Sequence, residues 1–280
     1  MKYGLYLPNF GPFGDARFLA ELARDAERAG WDGFFLWDHV ARPGAPPVVD
    51  PWIALAAIAV ATERIRIGAM VTPLARRRPW KVARETVSLD RLANGRLIFG
   101  AGLGSSGGAN VEWEAFGEET DLARRARLLD EGLAILDGLW RGEPFEFEGR
   151  ELTVRSAHFS PRALQSPRIP VWIAAYWPNR APLRRAARWD GLFALFRDGP
   201  PDDARQLAEA VAFVRESRAS DSAFDVVYCA DRETPLEPYA RAGATWWLAH
   251  LKPDAFGASW TEPWPLERMR ARIAQGPPRV

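Results

Sequence analysis

The chain has a single cysteine, Cys229, in 280 residues. That excludes an intramolecular disulfide framework and any metal centre built from several thiolates. Histidine is nearly as scarce: His39, His158 and His250 are far apart and show no metal-ligand spacing. An excess of one charge is missing too. Lys and Arg number 37 against 36 Asp and Glu, a formal net charge of +1, so no positive field is present to hold nucleic acid or an anionic membrane. No apolar run reaches the length of a membrane span, and the opening stretch Met1 to Pro8 is too short for a secretion signal. No Ser or Cys nucleophile sits in a recognisable motif. These absences lead us to expect a cytoplasmic protein that acts on a small molecule and binds no metal, nucleic acid or membrane.

Apolar residues, by contrast, make up 48% of the chain, enough for a large core. Thirteen tryptophans are present, several at expected strand ends or in loops, where some are expected to line a pocket while the rest fill the core. Short apolar runs alternate with longer amphipathic segments along the whole chain. The strands fall at Lys2 to Leu7, Gly33 to Trp37, Ile65 to Val71, Arg96 to Ala101, Val171 to Ala175, Gly191 to Phe196, Asp225 to Cys229 and Thr245 to Ala249. Their apolar continuity suits buried parallel strands. Helices are expected near Ala16 to Ala29, Pro51 to Ala61, Pro79 to Leu92, Asp121 to Leu139, Arg180 to Trp189, Asp202 to Ser217, Leu236 to Ala242 and Leu266 to Ala274. Asp15 is placed to cap the first, Gly30 to stop it, and Pro51 and Pro79 occupy first-turn positions. Eight strand-helix units predict an α/β fold, a (β/α)8 TIM barrel forming one domain over residues 1–280. Residues 141–170 break the pattern: Glu143 to Arg155 alternates around Gly149-Arg150 and reads as a small hairpin inserted before the fifth strand, either covering the site or lying idle on the surface.

In a barrel, polar residues at the C-terminal ends of strands carry the chemistry. His39 follows Asp38 directly after the second strand, which makes His39 the candidate catalytic group, for proton transfer or a hydrogen bond to a polarised ring, and Asp38 either an acceptor for a cofactor heteroatom or a cap of the loop. After the fourth strand, the glycine-rich stretch Gly100 to Gly108 offers backbone that a ligand can approach closely, and no helix opens after it as a dinucleotide-binding turn would require. After the fifth, Ala174 to Arg180 leads into a helix N-terminus suited to a phosphate, or to an ordinary capped start with a solvated arginine. Arg76-Arg77-Arg78 after the third strand would face an anionic ligand or solvent.

Together these residues resemble the bacterial luciferase-like superfamily of flavin- and deazaflavin-dependent oxidoreductases. The likeness is carried by Tyr3 to Pro8, Ala29 to His39, Ala61 to Gly68, Arg78 to Glu85, Gly95 to Gly102, Pro170 to Ala174 and Arg185 to Gly191. It implies a barrel that binds reduced FMN or the deazaflavin coenzyme F420 at its mouth for redox chemistry on a small apolar or aromatic substrate. By the same likeness Asp38 and His39 touch the ring, and a non-prolyl cis peptide falls at Ala69-Met70. Gly102, Leu103 and Gly104 then form a cofactor loop, and Ala174, Ala175, Tyr176, Asn179 and Arg180 contact the cofactor tail. Trp37, Trp113 and Trp177, with Tyr176, would enclose the substrate. Ser105-Ser106 stands where the superfamily's sugar-phosphate dehydrogenases carry an acid, which argues against a sugar phosphate. The shortened C-terminus after the eighth strand argues against the long monooxygenases. A homodimer through the helices at Pro51 to Ala61 and Pro79 to Leu92 is also implied. The alternative reading is a barrel that binds a flavin or another ligand without catalysis.

Overall fold

The computed structural model describes residues 1–44, 46–104, 111–197, 204–219, 222–230 and 235–278. Strands and helices alternate in the expected order: β1 (Lys2–Leu7), α1 (Ala16–Arg28), β2 (Gly33–Leu36), α2 (Pro51–Ala61), β3 (Arg66–Ala69), β4 (Thr72–Pro73), α3 (Pro79–Leu92) and β5 (Phe99–Gly102). A short α4 (Val111–Glu114) and the long α5 (Leu122–Trp140) precede a two-stranded hairpin, β6 (Phe145–Glu148) and β7 (Thr153–Ala157). The second half holds β8 (Val171–Trp177), α6 (Arg180–Ala186), β9 (Gly191–Phe196), α7 (Arg205–Ser217), β10 (Asp225–Ala230), α8 (Leu236–Arg241), β11 (Trp246–His250) and α9 (Leu266–Ala274). The main sheet runs β3-β2-β1-β11-β10-β9-β8-β5-β4. Its strand pairs are parallel, with Leu5 opposite Phe34 on one side and Ala249 on the other. Ile67 bridges to Leu97, and β4 pairs with β5, which brings the two ends of the sheet together into a TIM-type barrel. Among the described residues no helix is long and apolar enough to cross a membrane.

The third expected strand, Ile65 to Val71, stops at Ala69 with a separate short β4 following it at Thr72–Pro73, and the expected position of its special peptide is corrected by one residue. The cis bond joins Met70 to Val71, not Ala69 to Met70. The Met70 amide still donates to the Leu36 carbonyl at 2.7 Å, so the parallel ladder runs through Met70 and the chain can turn only after it. Tyr6 Oη donates to the Met70 carbonyl at 2.6 Å and holds that corner.

Aromatic side chains plug the barrel. Phe35, Met70, Ile98, Trp172, Phe193, Val227, Trp246 and Leu248 form a buried cluster of their own, with Trp172 and Trp246 edge to face at 5.2 Å. Such large rings fit because strands elsewhere have no side chain: a Cβ on Gly191 would lie 2.4 Å from the Trp172 ring, and one on Gly33 would lie 2.5 Å from Phe35 and 2.8 Å from Trp246. A floor of this kind leaves room for a ligand only above it, at the C-terminal strand ends.

The expected cap at Asp15 and first-turn proline at Pro51 are in place, and Asp50 adds a cap that was not expected. Asp15 accepts from Phe18 N at 2.8 Å, and Asp50, ahead of Pro51, accepts from the amides of Trp52 and Ile53. The hairpin forms around Gly149-Arg150 as expected, but its turn is tied to α5, where the Glu131 carboxylate accepts from the amides of Arg150, Glu151 and Leu152. None of its residues reaches the cavity described below, so it does not cover the site.

Glu27 of α1 does comparable work at the start of β3, accepting from the amides of Glu63, Arg64 and Ile65. Burial opposes its ionisation, but the backbone donors outweigh burial and lower its pKa below the ordinary glutamate value. A lowered carboxyl adds stability above the unfolded-state pKa and loses it as pH falls through the folded value. Glu27→Gln is therefore expected to cost about 1 kcal/mol at neutral pH, with the deficit shrinking below pH ~4, as read from urea midpoints.

Candidate active site

A cavity of about 800 Å³ opens above the aromatic floor, within the usual range for small-molecule sites. Residues from the C-terminal ends of the strands line it: Tyr6 on β1, Trp37, Asp38, His39 and Arg42 after β2, Met70, Val71, Pro73 and Arg76 around β4, and Leu103 and Gly104 after β5. Glu112 and Trp113 enter from α4, and Ala174, Tyr176, Asn179, Pro182 and Arg185 from the β8–α6 segment, with Leu195 and Arg197 from the end of β9.

Buried Asn9 fixes the His39 backbone. Its Oδ1 accepts from His39 N at 3.1 Å, and its Nδ2 donates to the carbonyls of His39 and Val49. The imidazole is held by Glu112 of α4, after β5, whose two carboxylate oxygens each lie 3.2 Å from His39 Nδ1. An ionised carboxylate only accepts hydrogen bonds. In the neutral ring the proton therefore sits on Nδ1, and Nε2 carries the lone pair. Glu112 also accepts from Val40 N at 2.7 Å, Ala41 N at 3.0 Å and Arg76 Nη1 at 2.8 Å. Burial by itself would raise its pKa. The His39 and Ala41 hydrogen bonds and the charges of His39 and Arg76 prevail and hold it at about 2.

Arg76 links this pair to a second carboxylate. It donates to Asp38 Oδ1 at 2.8 Å and the Asp38 carbonyl at 2.6 Å, while Arg77 donates to both Asp38 oxygens at 2.7 and 2.9 Å. The Asp38 side chain is completely shielded. It orders the mouth by fixing two arginines. The basic cluster divides: Arg76 lines the cavity but is paired, like Arg77, with Asp38, and Arg78 is exposed to solvent.

Trp113, fully buried, stands with the Arg125 guanidinium 3.5 Å from its ring centroid. Burial and the neighbouring Arg76 charge lower Arg125 to about 10, and it also donates to the Leu103 carbonyl. Gly104 closes this corner at φ +77°, where a Cβ would meet Trp113 at 2.7 Å and Pro73 at 3.0 Å. Tyr6, stacked on His250 at 4.8 Å, has its pKa raised well above the ordinary phenol value by burial and by the nearby Cys229 and Tyr176. It stays a neutral donor to Met70.

Among the residues named from sequence, Trp37, Asp38, His39, Met70, Leu103, Gly104, Trp113, Ala174, Tyr176 and Asn179 meet in this one cavity. Ala69, Gly102, Ala175, Trp177 and Arg180 do not line it. Ala69 and Ala175 pack into the core, and the Arg180 guanidinium lies over Phe213 of α7 at 4.7 Å. Ser105 to Gly108 lie outside the described residues. Glu112, Arg42, Arg185, Arg197 and Tyr6 were missed. An isolated glutamate ten positions beyond the end of β5 carries no motif, and only the fold swings it back onto His39.

The cavity presents two chemistries. Met70, Val71, Leu103, Ala174 and Leu195 give it apolar walls, while Asn179, Arg185 and Arg197 gather polar and cationic groups on the β8–β9 side. Flavins and deazaflavins combine a flat, largely apolar ring with an anionic tail, and these residues fit both parts.

A TIM-type barrel with a histidine-carboxylate pair at the mouth of a cofactor-sized cavity defines an enzyme-like site. The family model for luciferase-like monooxygenases matches residues 1–255, and the chain belongs to that family. It is 34% identical over 226 residues to an F420-dependent glucose-6-phosphate dehydrogenase of Intrasporangium calvum, covering 76% of this chain and 63% of that protein. In structure it is similar to the coenzyme F420-dependent tetrahydromethanopterin reductase of Methanopyrus kandleri, with a TM-score of 0.73 at 16% identity and 98% of both chains covered. It is also similar to the oxygenating constituent of 3,6-diketocamphane monooxygenase of Pseudomonas putida in complex with FMN, with a TM-score of 0.63 at 18% identity, covering 82% of this chain and 68% of that one.

Proposed function

We propose that the protein is an oxidoreductase that binds coenzyme F420, or reduced FMN in its place, and acts on a small apolar or aromatic organic substrate with His39 as the proton-transfer group. The observation that carries this is the His39 Nδ1 to Glu112 contact at the edge of the apolar-walled cavity, supported by the F420 dependence of the 34% identical relative. When bound, F420 would accept a hydride from the substrate or, reduced, donate one, and reduced flavin would supply the electrons with which O2 gives up an oxygen atom. Met70, Val71, Leu195 and Ala174 would hold its ring, and Asn179 and Arg197 its anionic tail. Glu112 keeps Nδ1 protonated, so that Nε2 takes or, once protonated, returns the proton that accompanies reduction or oxidation of the substrate.

Paired anaerobic titrations with F420 and with reduced FMN, read from tryptophan fluorescence, test the reading. Tight binding of F420 alone supports hydride transfer, and of reduced FMN alone a monooxygenase. Binding of neither sinks the proposal and leaves the non-catalytic barrel.

The same reading includes a homodimer. Helix α2 is apolar on all sides, and its outward face carries Ile53 and Val60, 64% and 70% exposed, with Ala56 and Ala57 between them and no charge. A second copy would cover it. Ile53→Glu is expected to shift the sedimentation coefficient from dimer to monomer with the melting profile of the monomer intact. A wild-type chain that sediments as a monomer at tens of micromolar would count against the pairing.

A further inference from the structure

The charged groups of the cavity can be paired off one by one. Asp38 is taken by Arg76 and Arg77, and Glu112 by His39, Arg76 and the amides of Val40 and Ala41. Arg185 is held by Asp130 outside the cavity, at 2.8 and 2.9 Å. Arg42 remains. It lines the cavity on the β2 side, half-buried, with its guanidinium 4.8 Å from the Phe10 ring centroid. Among the described residues it has no carboxylate or carbonyl partner.

A partly desolvated guanidinium without a counter-ion is costly to keep. Burial lowers its pKa, and the charge of Glu112, already engaged with His39 and Arg76, offsets that only in part. Arg197, the other cavity-lining arginine outside these pairs, follows β9, four strands away and across the barrel from β2. One cation therefore stands on each side of the cavity. The cation near Asn179 suits the cofactor tail, and the one at Arg42 stands on the His39 side: Phe10, under its guanidinium, is 5.6 Å from the His39 ring and 5.8 Å from Trp37.

We propose that Arg42 is a specificity-determining residue that receives the carboxylate of an apolar or aromatic monocarboxylate substrate, with the carbon skeleton lying along Phe10 and Trp37 toward His39. A planar guanidinium with one face on an aromatic ring leaves its N–H edges for a planar, bidentate partner. A single uncommitted cation matches one negative charge, which favours a carboxylate over a phosphate dianion. The proposal rests on the oxidoreductase reading for the reaction itself, but its binding step can be measured without the cofactor.

The experiment compares phenylacetate with its uncharged analogue phenylacetamide at constant ionic strength, by tryptophan fluorescence and thermal shift, on wild type, Arg42→Gln and Arg42→Lys. We expect wild type to bind phenylacetate at least tenfold more tightly than phenylacetamide, Arg42→Gln to lose that preference, and Arg42→Lys to keep part of it. All three should bind F420 or FMN within about twofold of one another. Equal binding of both probes by wild type, binding of neither, or an unchanged preference in Arg42→Gln overturns the proposal. Loss of cofactor affinity in Arg42→Gln also overturns it, by moving Arg42 to the cofactor. A wild type that selects the carboxylate but binds no cofactor retires the oxidoreductase reading and leaves this one standing.

Discussion

His39→Ala is expected to lower turnover roughly 10²- to 10⁴-fold, the usual contribution of a positioned acid-base group, while the cofactor dissociation constant moves little. This corresponds to about 3 to 5 kcal/mol of transition-state stabilisation. The expectation follows from geometry: Asn9 holds the His39 backbone, Glu112 holds Nδ1, and the Nε2 lone pair is left for chemistry. Stopped-flow reoxidation of the reduced cofactor with a substrate turned over by wild type is the measurement. A fall of less than threefold would make the imidazole a wall of the pocket and no more. Nitrogen chemical shifts of labelled histidine give an independent check, since the Nδ1-protonated tautomer should dominate for neutral His39 in the wild type and weaken in Glu112→Gln.

Glu112→Gln should also be costly to stability. A carboxyl held at about 2 instead of the ordinary glutamate value near 4.3 contributes about 3 kcal/mol at neutral pH. The variant also leaves Arg76 and the amides of Val40 and Ala41 without their charged acceptor. Because the folded-state pKa is depressed, this stability is fully present above about pH 4.3 and disappears as pH falls toward 2. Urea denaturation should therefore show a wild-type advantage of about 3 kcal/mol at pH 7 that shrinks steadily between pH 5 and 2. An advantage that stays constant across that range would mean that the carboxylate charge is not what holds the mouth together.

The strands were legible because a barrel strand buried on both sides must be apolar throughout, as Gly33 to Leu36 and Gly191 to Phe196 are. The cap at Asp15 and the first-turn proline at Pro51 were legible because helix starts are decided within a few residues. His39 could be picked out because strand-end position follows from the repeat alone. The roles of its neighbours could not. Asp38 and Arg76-Arg77 read as ligand contacts or solvated charge, yet they neutralise one another out of solvent, a pairing between strand ends 38 positions apart. The one-residue error in the cis bond has the same origin, since the break point depends on which amide of β3 is the last to find a carbonyl on β2.

The sequence by itself determined the alternation of strand and helix, the barrel and the histidine at its mouth, because periodicity and position are local properties of the chain. Only the tertiary structure decided that Glu112 sets the His39 tautomer, that Asp38 is spent on Arg76 and Arg77, and that Arg42, among the described residues, is left without a carboxylate or carbonyl partner. Each of these is a balance of charge and desolvation among groups that meet only when the strand ends close into a ring.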